Sequence, residues 1–103
     1  MEQQIEYGIE WTQSANHDLK QAFDYISEAE SPTRANYVVS GLIKAVETAV
    51  IFPTKHRVEP LLNRRDVRFA VKWHYKILFQ VKTNTILILR IFHTAQNPNK
   101  LIE

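Results

Sequence analysis

The chain has no cysteine, which excludes disulfides, thiolate catalysis and cysteine-ligated zinc and makes a reducing cytoplasm the expected compartment. Glycine occurs only twice, at Gly8 and Gly41, too sparsely for a phosphate-cradling loop or a G-x-S-x-G elbow, so no nucleotide cofactor is expected. The four histidines, His17, His56, His74 and His93, show no metal-ligand spacing, and no metal site is expected. The first ten residues, MEQQIEYGIE, lack the basic and apolar regions of a secretory signal. No charge-free stretch approaches the roughly 18 residues of a membrane span. The expectation is a soluble, intracellular protein.

What is present is a composition suited to one compact domain, residues 1–103, with 45% hydrophobic residues. The net charge of +2 conceals an asymmetry. Before Pro53 three basic side chains (Lys20, Arg34, Lys44) face eight acidic ones, whereas from Pro53 onward ten basic side chains face three acidic ones. The excess concentrates between Lys55 and Lys76, where only Glu59 and Asp66 oppose seven cations. Such a cluster suits either a polyanionic or acidic partner or a solvated basic face.

Ile5, Tyr7, Ile9 and Trp11 alternate with polar residues or glycine and predict a strand over 4–11. Thr12 or Ser14 can then cap a helix, and Ala15, Leu19, Ala22, Phe23 and Ile26 recur at helical spacing, with Asp18 favoured by the helix dipole. Ser31-Pro32 predicts the start of a second helix ending near Phe52-Pro53. The short link makes the two helices an antiparallel hairpin, and glycine within the second, at Gly41, points to a close approach by another element. Residues 53–66 read as a loop. Alternation over 67–73 and 75–81, joined tightly near Trp73-His74, and an apolar run from Ile86 to Phe92 predict three more strands. The resulting order, β-α-α-β-β-β, predicts an α+β fold: an antiparallel sheet with the helical hairpin on one face. Arg68, Lys72 and Lys76 occupy the polar phase of their strands and are expected together on the opposite face.

Trp73 to Pro98 carries the richest chemistry. Basic side chains bind phosphate and stabilise charge at phosphorus, while His93, His74 or the Tyr75 phenol can move protons, a set suited to RNA cleavage. The same residues also suit a sheet face of solvated cations, with His93 hydrogen-bonded to backbone at a strand end. Trp11, Phe69, Trp73 and Phe79 could stack bases, but their alternating positions favour the core. His17 and His56 read as surface residues.

The segments IEWTQSANHDLKQAFDYI, SPTRANYVVSGLIKAVETAVIFP, VRFAVKWHYKILFQV and ILILRIFHTAQNP together resemble the RelE/ParE superfamily of bacterial type II toxins, in order and over nearly the whole chain. The most specific features are the W-T-x-x-A-x-x-D-L opening from Trp11 to Leu19, Tyr75-Lys76-Ile77, and Arg90-Ile91-Phe92-His93. The resemblance implies a toxin neutralised by an antitoxin that wraps its functional face, with oligomers formed through the antitoxin. RelE-like members cleave mRNA in the ribosome and ParE-like members, often plasmid stabilisation proteins, inhibit DNA gyrase. For a ribonuclease the resemblance implies metal-independent catalysis by Arg68, Lys76 and His93. Antitoxin contact is expected at the apolar groove beside the hairpin and at Arg64, Arg65, Arg68, Lys72, Lys76 and Arg90. One departure favours a ParE-like inhibitor that binds a protein target. Where many members follow the histidine with arginines, this chain has Thr94-Ala95-Gln96, and no tyrosine follows. The alternatives are a RelE-like endonuclease and a non-toxic member that only binds antitoxin.

Overall fold

The computed structural model describes residues 7–60, 64 and 66–94. Strand β1 (Gly8–Trp11) leads into helix α1 (Gln13–Ala29) and helix α2 (Pro32–Ala49). A single 3-10 turn (Pro53–Lys55) follows, and then β2 (Arg57–Val58), β3 (Val67–Lys72), β4 (Tyr75–Val81) and β5 (Thr85–His93). The five strands form one sheet in the order β1-β5-β4-β3-β2. Two helices lie against it, as the α+β expectation requires.

Both helices start at hydroxyl caps. Thr12 accepts from the Ala15 N–H and Ser31 from the Arg34 N–H, each satisfying a donor that the first turn leaves open. Pro32 occupies the first turn of α2, where its missing N–H costs nothing. The core is built from Ala15 and Ile26 of α1, Val38, Leu42 and Val46 of α2, and Ile77, Phe79, Ile86, Ile88 and Ile91 of the sheet. Apolar burial of this kind contributes on the order of 25 cal/mol per Å².

The structure departs from the sequence expectations in three respects. First, the sheet is mixed: β1 runs parallel to β5, pairing Ile9 with Ile86 and Trp11 with Ile88, while the other pairs are antiparallel. Second, the stretch read as a loop contains β2, whose two residues pair with Phe69 and Arg68. Third, the cations do not share a face. Directly paired residues project to the same side of a sheet, and the register pairs Arg68 with Phe79, Ala70 with Ile77 and Lys72 with Tyr75. Arg68 and Lys72 therefore project towards the helices, and Lys76, opposite Val71, projects to the side away from them. The polar phase of β3 is the core phase because Ala70 supplies its buried apolar contact. Phe69 and Val71 instead face away from the helices.

The apolar run in β5 also has a local cause. Leu78 pairs with Arg90 and Phe79 with Ile88, so Leu89 is an extra residue at a bulge. The inward set changes phase there, from Ile86 and Ile88 to Ile91 and His93, and clean alternation disappears.

Candidate functional site

The W-T-x-x-A-x-x-D-L opening is a device that fastens α1 to β5. The Thr12 hydroxyl lies 2.9 Å from both Ile88 O and Leu89 O, and the Thr12 N–H donates to Ile88 O at 3.1 Å. Ala15 is fully buried beneath the helix, and Leu19 packs against the core. Asp18, expected to complement the dipole, instead reaches the sheet. Its Oδ2 accepts from Arg90 Nε and from the Ile91 N–H, both at 2.9 Å, and its Oδ1 accepts from Arg90 Nη2 at 3.2 Å. The carboxylate thus serves β5 as a neighbouring strand would, just past the end of β1.

The other predicted cations are held in different ways. Arg68 Nη1 donates to Thr54 O at 3.1 Å and His56 O at 2.8 Å, fastening the 3-10 turn to β3. Lys76, its side chain only 18% exposed, forms a 2.5 Å ion pair with Oε2 of the completely buried Glu59. Its ammonium also lies 4.2 Å from the centroid of the Phe69 ring. Arg64 pairs with Asp66 at the surface, and Asp66 also accepts from Gln80. These bonds, Arg64 first, hold the Asp66 carboxyl below its usual range. Lys72 stands over Trp73, 4.6 Å from the ring centroid. Arg65 and the Ala95-Gln96 departure fall outside the described residues.

His93 pairs with Tyr75 in the register, at the end of the sheet away from Arg68 and Phe79. Its ring stands edge-on to Tyr75 at 5.3 Å and lies 5.8 Å from the His74 ring. Burial, with a smaller effect from Tyr25, raises the Tyr75 pKa above that of an ordinary phenol. Of the three residues expected to cooperate in RNA cleavage, Arg68 and Lys76 project to opposite sides of the sheet and His93 is remote from Arg68. The structure brings His93 together with Tyr75 and His74.

The sequence reading expected an apolar groove beside the hairpin without naming its lining, and the structure has one between α2 and β3, about 620 Å³ in volume. Small residues open it: Gly41, Ala45 and Ala49 on the helix and Ala70 on the strand. Gly41 meets the expected close approach, since a Cβ there would collide with the Trp73 indole. Trp73, expected in the core, is 43% exposed and adopts a left-handed φ of 54° in the β3–β4 turn. The proximity of Gly41 and Trp73 in the fold, 32 positions apart in sequence, had no local signature. A second hollow, about 730 Å³, lies between α1 and the end of β5 beside Tyr25, Tyr75 and His93.

His56, read as a surface residue, borders the first groove and sits edge-on to Phe79 at 5.6 Å. Burial, followed by the Arg68 charge, lowers its pKa below 6.5. The unfolded chain then binds the extra proton more readily, so His56 lowers stability as pH falls below 6.5. Urea unfolding at pH 7.5 and 5.5 is expected to show this loss, and His56→Gln to reduce it; an equal loss in both proteins would assign the dependence elsewhere.

A profile described as the ParE toxin of the type II toxin-antitoxin system, parDE, matches residues 9–98. A solved structure described as the chromosomal ParDE TA system from P. aeruginosa is 25% identical, with a TM-score of 0.72, the match covering 84% of this chain and 95% of that one. The crystal structure of the toxin-antitoxin complex RelBE2 from Mycobacterium tuberculosis shares the fold at 18% identity, with a TM-score of 0.66 and coverage of 93% and 100%. No curated protein sequence matches the chain significantly. The profile spans both helices and the complete sheet from Ile9 onward, and on that match the chain belongs to the ParE toxin family of type II toxin-antitoxin systems.

Proposed function

We propose that the protein arrests growth by binding a target protein, with DNA gyrase the candidate target, and that a cognate antitoxin neutralises it. The observation supporting this reading over RNA cleavage is the disposition of Arg68 and Lys76. A phosphate undergoing cleavage needs converging cations to stabilise developing charge, whereas these two project to opposite sides of the sheet and are engaged by Thr54, His56 and Glu59. A protein-binding toxin requires no such convergence. It needs a shaped surface, and the groove beside Trp73 supplies one.

The competing reading draws on one specific feature, the His93, Tyr75 and His74 cluster, which places proton-transfer groups together. Induced expression followed by a gyrase supercoiling assay and primer extension on cellular mRNA separates the two. Growth arrest with inhibited supercoiling and intact mRNA is expected, and His93→Ala should leave inhibition within about threefold, because roughly 0.6 kcal/mol or less is at stake for a residue outside the interface. Codon-positioned cleavage abolished by His93→Ala would establish a ribosome-dependent nuclease instead. Expression without growth arrest would leave antitoxin binding as the remaining activity.

A further inference from the structure

We propose that the hollow between α1 and the end of β5 is a socket for an arginine side chain of a partner protein, held by the Tyr25 ring and the Asp24 carboxylate. Among the described tyrosine, phenylalanine and tryptophan side chains, Tyr25, Tyr37, Phe52 and Trp73 are exposed. Three of them carry a cation from their own chain. Arg34 lies 5.2 Å from the Tyr37 centroid, Lys55 4.5 Å from that of Phe52 and Lys72 4.6 Å from that of Trp73. Tyr25, at 73% the most exposed of the four, has no such cation among the described residues.

The lining of the hollow shows why its own cation does not serve. Asp18, Gln21, Ala22 and Tyr25 recur at helical spacing on α1 and all border the space, with Tyr75 and His93 on the sheet side. Arg90 is the one lysine or arginine in the lining, and Asp18 holds its guanidinium at 2.9 and 3.2 Å. Asp18 is committed in turn to Arg90 and the Ile91 N–H. Asp24 is the remaining carboxylate of the lining. It meets Lys20 at 3.5 Å, in a pair whose side chains are 61% and 76% exposed, so solvent screens the contact and an incoming cation readily displaces Lys20.

Charge selects the sign of the occupant. On α1, Asp18, Asp24 and Glu28 outnumber Lys20, and Glu30 follows at the C-cap. Acidic groups at a helix C-terminus oppose its dipole, and no basic residue in the last turn offsets them. This end of α1 is therefore an acidic patch on a chain of net charge +2, repelling phosphate and attracting cations. Burial, followed by the nearby Tyr25, raises the Tyr75 pKa, so the sheet side presents a neutral phenol. Arginine fits better than lysine, because a planar guanidinium stacks on a ring while donating in a fork to a carboxylate. The volume of about 730 Å³ leaves room for the backbone that carries the side chain. A free amino acid would bring its own carboxylate to the acidic rim. Strand β4 separates β5, which borders this hollow, from β3, which borders the α2–β3 groove. The socket does not depend on gyrase being the target.

The test uses the whole protein, isotopically labelled for amide NMR at neutral pH, and three blocked tripeptides, Ser-Arg-Ser, Ser-Lys-Ser and Ser-citrulline-Ser. Titration to tens of millimolar should shift the Asp24 and Tyr25 amides with the arginine peptide. The lysine peptide should bind at least threefold more weakly, and the citrulline peptide, which keeps the shape without the charge, at least tenfold. Tyr25→Ala and Asp24→Asn alter exposed side chains, so both proteins should stay folded, and each should weaken the arginine peptide at least fivefold. Tyr25→Phe, which keeps the ring, should remain within about twofold of wild type. Unmoved Asp24 and Tyr25 amides, equal response to the citrulline peptide, undiminished binding by Tyr25→Ala, or a larger response to guanosine monophosphate would overturn the proposal. The supercoiling assay reads the target separately, so either conclusion can fail alone.

Discussion

Replacing Lys76 with methionine is expected to destabilise the protein by about 3–5 kcal/mol, the usual consequence of stranding one member of a buried ion pair. Glu59 is completely buried and the Lys76 side chain mostly so, so the Glu59 charge left behind would have no contact with solvent. Urea unfolding at neutral pH measures it directly. The companion variant, Glu59→Gln with Lys76→Met, leaves no buried charge and should recover most of the difference. A change below about 1 kcal/mol in the single variant, the size of an ordinary substitution, would show that Glu59 is sustained by other contacts. This matters for function because Lys76 occupies the position where ribonuclease relatives are expected to carry a catalytic cation. Loss of toxicity in a Lys76 variant would be evidence about chemistry only after its folded fraction had been measured.

Asp18→Ala should cost about 2–4 kcal/mol, because one carboxylate satisfies both the Arg90 guanidinium and the Ile91 N–H. The lower end reflects Arg90, whose side chain is 29% exposed and can recover some hydration. Asp18→Asn retains an acceptor for Ile91 and should lose roughly half as much. Thermal unfolding of the three proteins gives the order; equal stability of wild type and alanine variant would remove Asp18 from the account of how α1 is held. Hydrogen exchange offers a second readout, with faster exchange expected at Ile91 in the alanine variant.

The elements legible in the sequence were those with a local cause. Ser31-Pro32 placed the start of α2, Thr12 or Ser14 placed that of α1 to within a turn, with Thr12 the cap in the fold, and alternation in β4 placed its inward set at Ile77 and Phe79. The face of β3 was misread because the pattern of Arg68, Ala70 and Lys72 looks polar, yet Ala70 is the residue that enters the core. Hydropathy weighs a short alanine poorly against Phe69 and Val71, while packing against α2 selects by size. The bulge at Leu89 was hidden for a related reason, since a run of isoleucine and leucine conceals a change of phase. At the candidate site, the charges of Arg68, Lys76 and Arg90 were plain, but their partners Thr54, Glu59 and Asp18 are distant in sequence or belong to backbone. The groove's floor is composed of absences, Gly41 and three alanines, and only the fold brings them together.

The pairing of β1 with β5 imposes an order on synthesis. The Thr12 hydroxyl and the Ile88 carbonyl it meets are separated by 76 positions, so β1 has no strand to join until nearly all of the described chain has emerged from the ribosome. Helices α1 and α2 are complete earlier, but the sheet residues they cover, Ile77 through Ile91, come last. Contacts of such long range are made late and slow folding. A nascent or prematurely terminated chain lacking β5 would therefore lack the closed sheet, and the Thr12 and Asp18 bonds that fasten α1 would form only once β5 had emerged.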